Sequence, residues 1–223
     1  MSIDKIYYRD GASLPLSRKL MRLARERMYR LFVNELRPDP STRILDLGVS
    51  DHDDAEANML EKLYPYPDRL TCAGLGEGRA VTALYPVVEY VQVTVNEPLP
   101  FADNAFDVIC SNAVLEHVGG VDGRRLFLRE ALRVARRAFI TVPNRWFPIE
   151  QHTGIPFVHF SPYLFRRLLR GTSLAYWSRP ENLDFLDRAA LAREWPLADR
   201  DIKLVATGIP LGPFSSNIAL IAN

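Results

Sequence analysis

The sequence predicts an α/β fold, an open doubly wound sheet of mostly parallel strands with helices on both faces. Three observations predict it. Strand-like and helix-like segments alternate along the chain, the order that gives a parallel sheet covered by helices. Two short runs, Ile44-Leu45-Asp46-Leu47 and Phe106-Asp107-Val108-Ile109-Cys110, are apolar almost throughout, as strands buried on both faces are. The first of them ends in Asp46-Leu47-Gly48, a strand running into a turn at the end where open α/β sheets hold ligands.

Residues 17–36 place Leu20, Leu23, Ala24, Met28, Leu31, Phe32 and Leu36 at helical spacing, and Pro38 and Pro40 stop that helix. The first strand is 44–47. A helix over 53–63 follows, with Asp53 or Asp54 as its cap. Strands at 70–75 and 87–95 enclose a short helix after Gly78. The fourth strand, 106–110, leads into a helix over 123–136 that carries Leu126, Phe127, Ala131 and Leu132 on one side. The fifth strand is 138–142. Right-handed crossovers between such units give the doubly wound sheet. The last quarter reads as helices at 161–170 and 187–195, then strands at 202–207 and 217–221 joined by a Gly/Pro turn, an antiparallel pair closing the sheet edge.

Composition narrows the function classes. The 223 residues, 48% of them hydrophobic, suit one sizeable core, so a single domain over 1–223 is expected. Lys and Arg total 28 against 27 Asp and Glu, a net charge of +1. No basic field advertises nucleic acid or an anionic membrane. Cys72 and Cys110 sit in apolar runs far from any CxxC spacing, which suits reduced core thiols and a cytoplasmic location. Neither a signal pattern at Met1-Ser2-Ile3-Asp4-Lys5 nor a membrane-length apolar stretch is present.

Three blocks carry a family resemblance: Ile44-Leu45-Asp46-Leu47-Gly48, then Leu99-Pro100-Phe101 with Phe106-Asp107-Val108-Ile109, then Leu115-Glu116-His117. Together they resemble the class I S-adenosylmethionine-dependent methyltransferases, in the small-molecule branch with an LPF, FD and LEH signature. The similarity covers about residues 42–170. It implies a Rossmann-like, seven-stranded sheet whose last strand is antiparallel, with S-adenosylmethionine across the carboxyl ends of strands one, two and four. It also implies a helical cap at 1–40, an acceptor-side region at 143–200 and a small-molecule, lipid or saccharide acceptor. Cofactor-side candidates are Asp46, Gly48, Val49, Ser50, Gly76, Glu77, Asn96 and Asn112. Gly48 would let the backbone pass close to the cofactor, and Asp46 would meet its ammonium.

The sequence departs from that family in three places. Val49-Ser50-Asp51-His52-Asp53 replaces the further glycines that relatives carry, and carboxylates there disfavour a cofactor carboxylate nearby. The acidic residue expected on the ribose falls on Gly76, with Glu77 one position later. The one expected on adenine falls on Val95, beside Asn96 and Glu97. A methyltransferase with altered contacts, a weak cofactor binder, and an inactive domain of the same fold that serves as a binding or scaffold protein all accommodate these changes.

The segment 141–160 is too apolar to be disordered and too long for an idle connection. Its Pro143-Asn144-Arg145-Trp146-Phe147-Pro148-Ile149-Glu150 run and following His152-Thr153 resemble a bacterial methyltransferase subgroup with a similarly glycine-poor first loop. His117 and His152 are the catalytic candidates, suited to taking an acceptor's proton near neutral pH, with Glu150 as orienting carboxylate or second base. Glu116-His117 alone lacks the spacing of a metal site, and no metal is predicted. Arg124, Arg125, Arg129, Arg133, Arg136 and Arg137 read as a solvated helical face, and Tyr7, Tyr8 and Arg9 as a lid.

Overall fold

The computed structural model describes residues 15–52 and 57–223, which build one seven-stranded sheet. β1 (Ile44–Leu47) lies between β2 (Leu70–Gly74) and β4 (Phe106–Asn112), parallel to both. β3 (Glu89–Gln92) continues beyond β2 and β5 (Ala135–Pro143) beyond β4. β7 (Phe214–Ala222) runs antiparallel between β5 and β6 (Ile202–Leu211), giving the order β3-β2-β1-β4-β5-β7-β6. The chain leaves β1 toward one edge and returns through β4 toward the other. The carboxyl ends of β1 and β4 therefore form the crevice expected at such a reversal.

Alternation along β1 sorts the core. Ile44 faces the layer of α1 (Pro15–Leu36), where Met28, Phe32 and Leu36 pack with Cys72, Val108 and Phe139. Leu45 and Leu47 face α4 (Gly120–Val134), where Leu128, Ala131 and Leu132 meet Ile109 and Ile140. Each such fully buried side chain contributes about 1.5–3 kcal/mol. Phe32 meets Phe139 edge-on, with ring centres 5.5 Å apart. Leu20 and Leu23, expected on the apolar face, are exposed because α1 enters the core only from Ala24 onward.

Boundaries moved where pairing extends or ends an element. β3 is shorter than expected because its ladder with β2 spans only Glu89 to Gln92. α4 ends at Val134 because Ala135 already pairs with Phe106. β6 and β7 are longer than expected, since their ladder runs on to Leu211 and Phe214. Of the expected 53–63 helix, α2 spans Met59–Leu63, and the described residues ahead of it, Ala57 and Asn58, are not helical, Asn58 being left-handed with φ +56°. The suggested caps Asp53 and Asp54, and the lid at Tyr7, Tyr8 and Arg9, lie outside the described residues. The remaining helices are α3 (Arg79–Leu84), α5 (Pro162–Leu169), capped by the Ser161 hydroxyl, and α6 (Arg188–Glu194), capped by Asp187.

Four of the six arginines depart from the solvated helical face: Arg136 and Arg137 lie on β5 and not on α4, with Arg137 donating to the Leu36 carbonyl at 2.7 Å, and Arg124 and Arg133 are tied into the fold. Arg124 is buried and gives two hydrogen bonds to Glu194 and one to Asp184, tying α4 to α6. Arg133 donates to the carbonyls of Leu99 and Phe101 at 2.9 and 2.8 Å and pairs with Glu130 and Asp103. Glu130 in turn accepts from the Leu99 amide. The Leu-Pro-Phe block is thus held to α4 by its backbone. Among the described residues no helix is long and apolar enough to cross a membrane.

Candidate active site

At the carboxyl ends of the central strands lies a cavity of about 320 Å³. Its walls are the turn after β1 at Gly48, Val49 and Ser50, the start of the turn after β2 at Leu75, and the stretch from Val93 to Glu97 beyond β3. Ala113, Val114 and His117 close it after β4, and Leu126 and Phe127 close it from α4. Tyr176, Glu181 and Asn182 complete the rim.

The glycine-poor turn is organised by side chains in place of glycine. Gly48 has φ +96°, a left-handed conformation, and a Cβ there would meet Val114 Cγ2 at 2.2 Å. Further along, the Asn58 amide clamps buried Ser50: it accepts from the Ser50 N–H at 2.9 Å and donates to the Ser50 carbonyl at 2.8 Å. The Asp51 carboxylate accepts from the amides of Gly78 and Ala80 at 2.9 and 2.8 Å. A charge that reads from sequence as hostile to a cofactor carboxylate is therefore spent on the start of α3.

The candidate cofactor residues separate into two groups. Gly48, Val49, Ser50 and Asn96 line the cavity. Asp46, Gly76, Glu77 and Asn112 are not among its lining residues. Asp46 shares the face of Ile44, because side chains two apart on a strand point the same way. Its carboxyl is buried, and that burial, together with neighbouring Glu61, raises its pKa well above the ordinary value, opposed by Arg25. The Gly76 carbonyl accepts from the Tyr90 hydroxyl at 2.8 Å, exposed Glu77 pairs with Arg79, and Asn112 accepts from the Thr141 hydroxyl.

The three catalytic candidates come together. His117 ends the 3₁₀ turn Leu115–His117, and its Nδ1 lies 2.7 Å from the Asn182 carbonyl. The Asp184 amide donates to the Glu116 carbonyl at 2.9 Å, fixing the same turn. His152 sits in a tight loop closed by the Ile149 and Pro156 bridge. There the Glu150 carboxylate accepts from the His152 amide, His152 Nδ1, the Thr153 amide and the Thr153 hydroxyl, at 2.7 to 3.0 Å. His152 Nε2 lies 3.1 Å from His117 Nε2, and the two rings are nearly perpendicular. Trp177 packs against both. His159 is a loop anchor, its Nε2 2.9 Å from the Phe147 carbonyl.

Electrostatics divides the labour within this cluster. Burial, reinforced by His152, lowers the His117 pKa to about 3, so His117 is a neutral and weak base. Burial acts against charge on His152 too, but the hydrogen bond and charge of Glu150 outweigh it and raise His152. Burial likewise opposes ionisation of Glu150, and its bonds from His152 and Thr153 overcome it, leaving a pKa of about 2. Glu116 is 2% exposed, and burial raises it to about 7. Only His117 of this cluster lines the cavity, with His152 and Glu150 behind it. Sequence reading missed Asn58 and Asn182, whose roles are set by distant backbone and leave no local signature.

Residues 66–138 match a family model described as a methyltransferase domain. No curated protein matches the chain. Among solved structures, an S-adenosylmethionine-dependent methyltransferase from Thermotoga maritima, described as a possible histamine N-methyltransferase, is 16% identical over 92% of this chain and 91% of its own, with a TM-score of 0.59. Another such methyltransferase, from Aquifex aeolicus, is 15% identical over 100% and 98%, with a TM-score of 0.52. The trans-methyltransferase CalH, solved with SAH, is 15% identical over 100% of this chain and 62% of its own, with a TM-score of 0.59. The fold is that of S-adenosylmethionine-dependent methyltransferases, and the matched segment is that of a methyltransferase domain.

Proposed function

We propose, for a chain with this methyltransferase fold and domain segment, that it uses S-adenosylmethionine to methylate an oxygen or nitrogen atom of a small-molecule, lipid or saccharide acceptor. The observation that carries the reading is the cavity at the β1 and β4 ends, bounded by a turn whose one carboxylate in the described loop is directed at α3 and not at the ligand. Gly48, Val49 and Ser50 would hold the methionine part, with the left-handed Gly48 bringing the chain close. Leu75 and the stretch from Val93 to Asn96 would enclose the nucleoside. When bound, the cofactor supplies a sulfonium methyl already activated for transfer.

The chain's own part is to align the acceptor and exclude water. His117 marks the end of the cavity where the acceptor would enter. The stronger base is His152, oriented by Glu150 and in contact with His117. Of the two histidine candidates, burial weakens the one nearer the cavity.

Calorimetric titration with S-adenosylmethionine and S-adenosylhomocysteine tests the reading. Saturable binding of both at one site is expected. An absence of heat and of any thermal shift at millimolar cofactor would overturn it and leave the inactive binding domain.

A further inference from the structure

Behind the cavity, three potential metal ligands converge from two separate parts of the chain. Glu116, His117 and His152 each offer one atom, and all three atoms lie within 4.8 Å of one another. The two imidazole Nε2 atoms are 3.1 Å apart, and His117 Nε2 is 3.8 Å from Glu116 Oε1. Ligands on one cation at nitrogen and oxygen distances of about 2.0–2.2 Å stand roughly 3.0–3.5 Å apart. Only Glu116 has to move inward to reach that spacing.

The hydrogen bonds around the cluster decide what it can hold. Each histidine has its Nδ1 against an oxygen acceptor, the Asn182 carbonyl for His117 and the Glu150 carboxylate for His152. With Nδ1 donating, each ring turns its Nε2 lone pair toward the other and toward Glu116. Two lone pairs facing at this distance repel unless a proton or a cation sits between them. A carbonyl or carboxylate on the far nitrogen is also the usual support of a metal-binding histidine. Glu116 supplies an independent observation. Its side chain is buried, and among the described residues neither carboxylate oxygen has a hydrogen-bond partner. A buried carboxylate left in this way costs free energy unless it is neutralised or paired with a cation.

We infer that Glu116, His117 and His152 form a binding site for one divalent transition-metal cation, with Glu150 and the Asn182 carbonyl as its outer supports. Two imidazoles and one carboxylate suit zinc, manganese, iron or cobalt better than calcium or magnesium, which prefer oxygen ligands alone. The cation displaces the proton otherwise shared by the two rings, and while it is bound His152 Nε2 is a ligand and not the base. Because His117 also lines the cavity, the site adjoins the place assigned to the acceptor. That adjacency rests on the methyltransferase reading, whereas the site itself does not.

Equilibrium dialysis of chelator-stripped protein against zinc, manganese and cobalt chlorides, followed by metal analysis, tests this directly, and cobalt adds a visible absorption band. One equivalent of at least one of these cations per chain is expected. Glu116→Gln and His152→Ala should each weaken binding at least tenfold, and Glu150→Gln by about 10- to 100-fold through loss of support. Failure of the wild-type protein to bind any of the three saturably would overturn the site, as would unchanged binding in variants that keep the wild-type circular dichroism spectrum. Cofactor titration on the same stripped samples separates the two ideas: cation binding without cofactor binding keeps the site and removes the methyltransferase reading, and the converse removes only the site.

Discussion

Arg124 and Glu194, 70 residues apart, meet in a two-pronged ion pair, with Nε 2.6 Å from one carboxylate oxygen and Nη2 3.1 Å from the other. Both side chains are buried, so neither charge has water to fall back on. Glu194→Ala leaves the guanidinium with Asp184 as its remaining carboxylate. Breaking a buried pair in this way typically costs about 3–5 kcal/mol, and denaturant unfolding should show a loss of that order. A change below about 1 kcal/mol would mean that water reaches the pair.

The Asp46 and Glu61 carboxyls make stability fall with pH. They are packed with the Cys72 and Cys110 thiols, Asp46 faces Arg25 of α1, and burial raises the pKa of both carboxyls. Below about pH 4 the unfolded chain also carries these protons, and the pair imposes no penalty. As pH rises, the unfolded chain ionises first, so the folded state binds more protons and unfolding becomes easier until the raised folded pKa values are passed. Asp46→Asn should remove Asp46's share. Its stability relative to wild type should improve between pH 4 and pH 7, and parallel curves would show that Asp46 is ionised in the native protein.

Asn58 substitutes for the missing glycines by holding Ser50 at both backbone groups. Asn58→Ala leaves that buried N–H and carbonyl without these partners, at about 1–3 kcal/mol for an unsatisfied group. Asn58 also has φ +56°, a conformation alanine tolerates poorly. Thermal unfolding should shift downward, and cofactor titration should show weaker binding. An unchanged midpoint would show that the clamp is dispensable.

Filling the cavity should separate folding from ligand binding. Gly48→Val combines a positive φ with a collision against Val114, so its expected effect is loss of the fold itself. Val95→Trp adds bulk at an exposed lining residue. It should leave circular dichroism and the unfolding midpoint near wild type while abolishing cofactor binding. Normal binding by Val95→Trp would place the ligand elsewhere.

Local pattern made the sheet readable. Ile44 to Leu47 and Phe106 to Cys110 are strands because their apolar runs need burial on both faces, and both stand at the centre of the sheet. The resemblance assigns Asp46 to the cofactor, whereas period-two alternation turns it with Ile44 toward the α1 layer and it is not among the residues lining the cavity. The Leu-Pro-Phe block was recognisable as a motif, but its clamp by Arg133 and Glu130 was not, because the partners lie a helix away. The meeting of His117 with His152 depends on a loop 35 residues later and on the carbonyl of Asn182. No spacing rule within either segment predicts that.

Residues 176–184 touch both halves of the site at once. Tyr176, Glu181 and Asn182 border the cavity, while Asn182 and Asp184 also fasten His117 and Glu116. One short stretch of backbone thus serves as a common strut. Any shift of it that widened the mouth of the cavity would also retune the histidine cluster, so the two compartments cannot be altered independently by changes in this stretch.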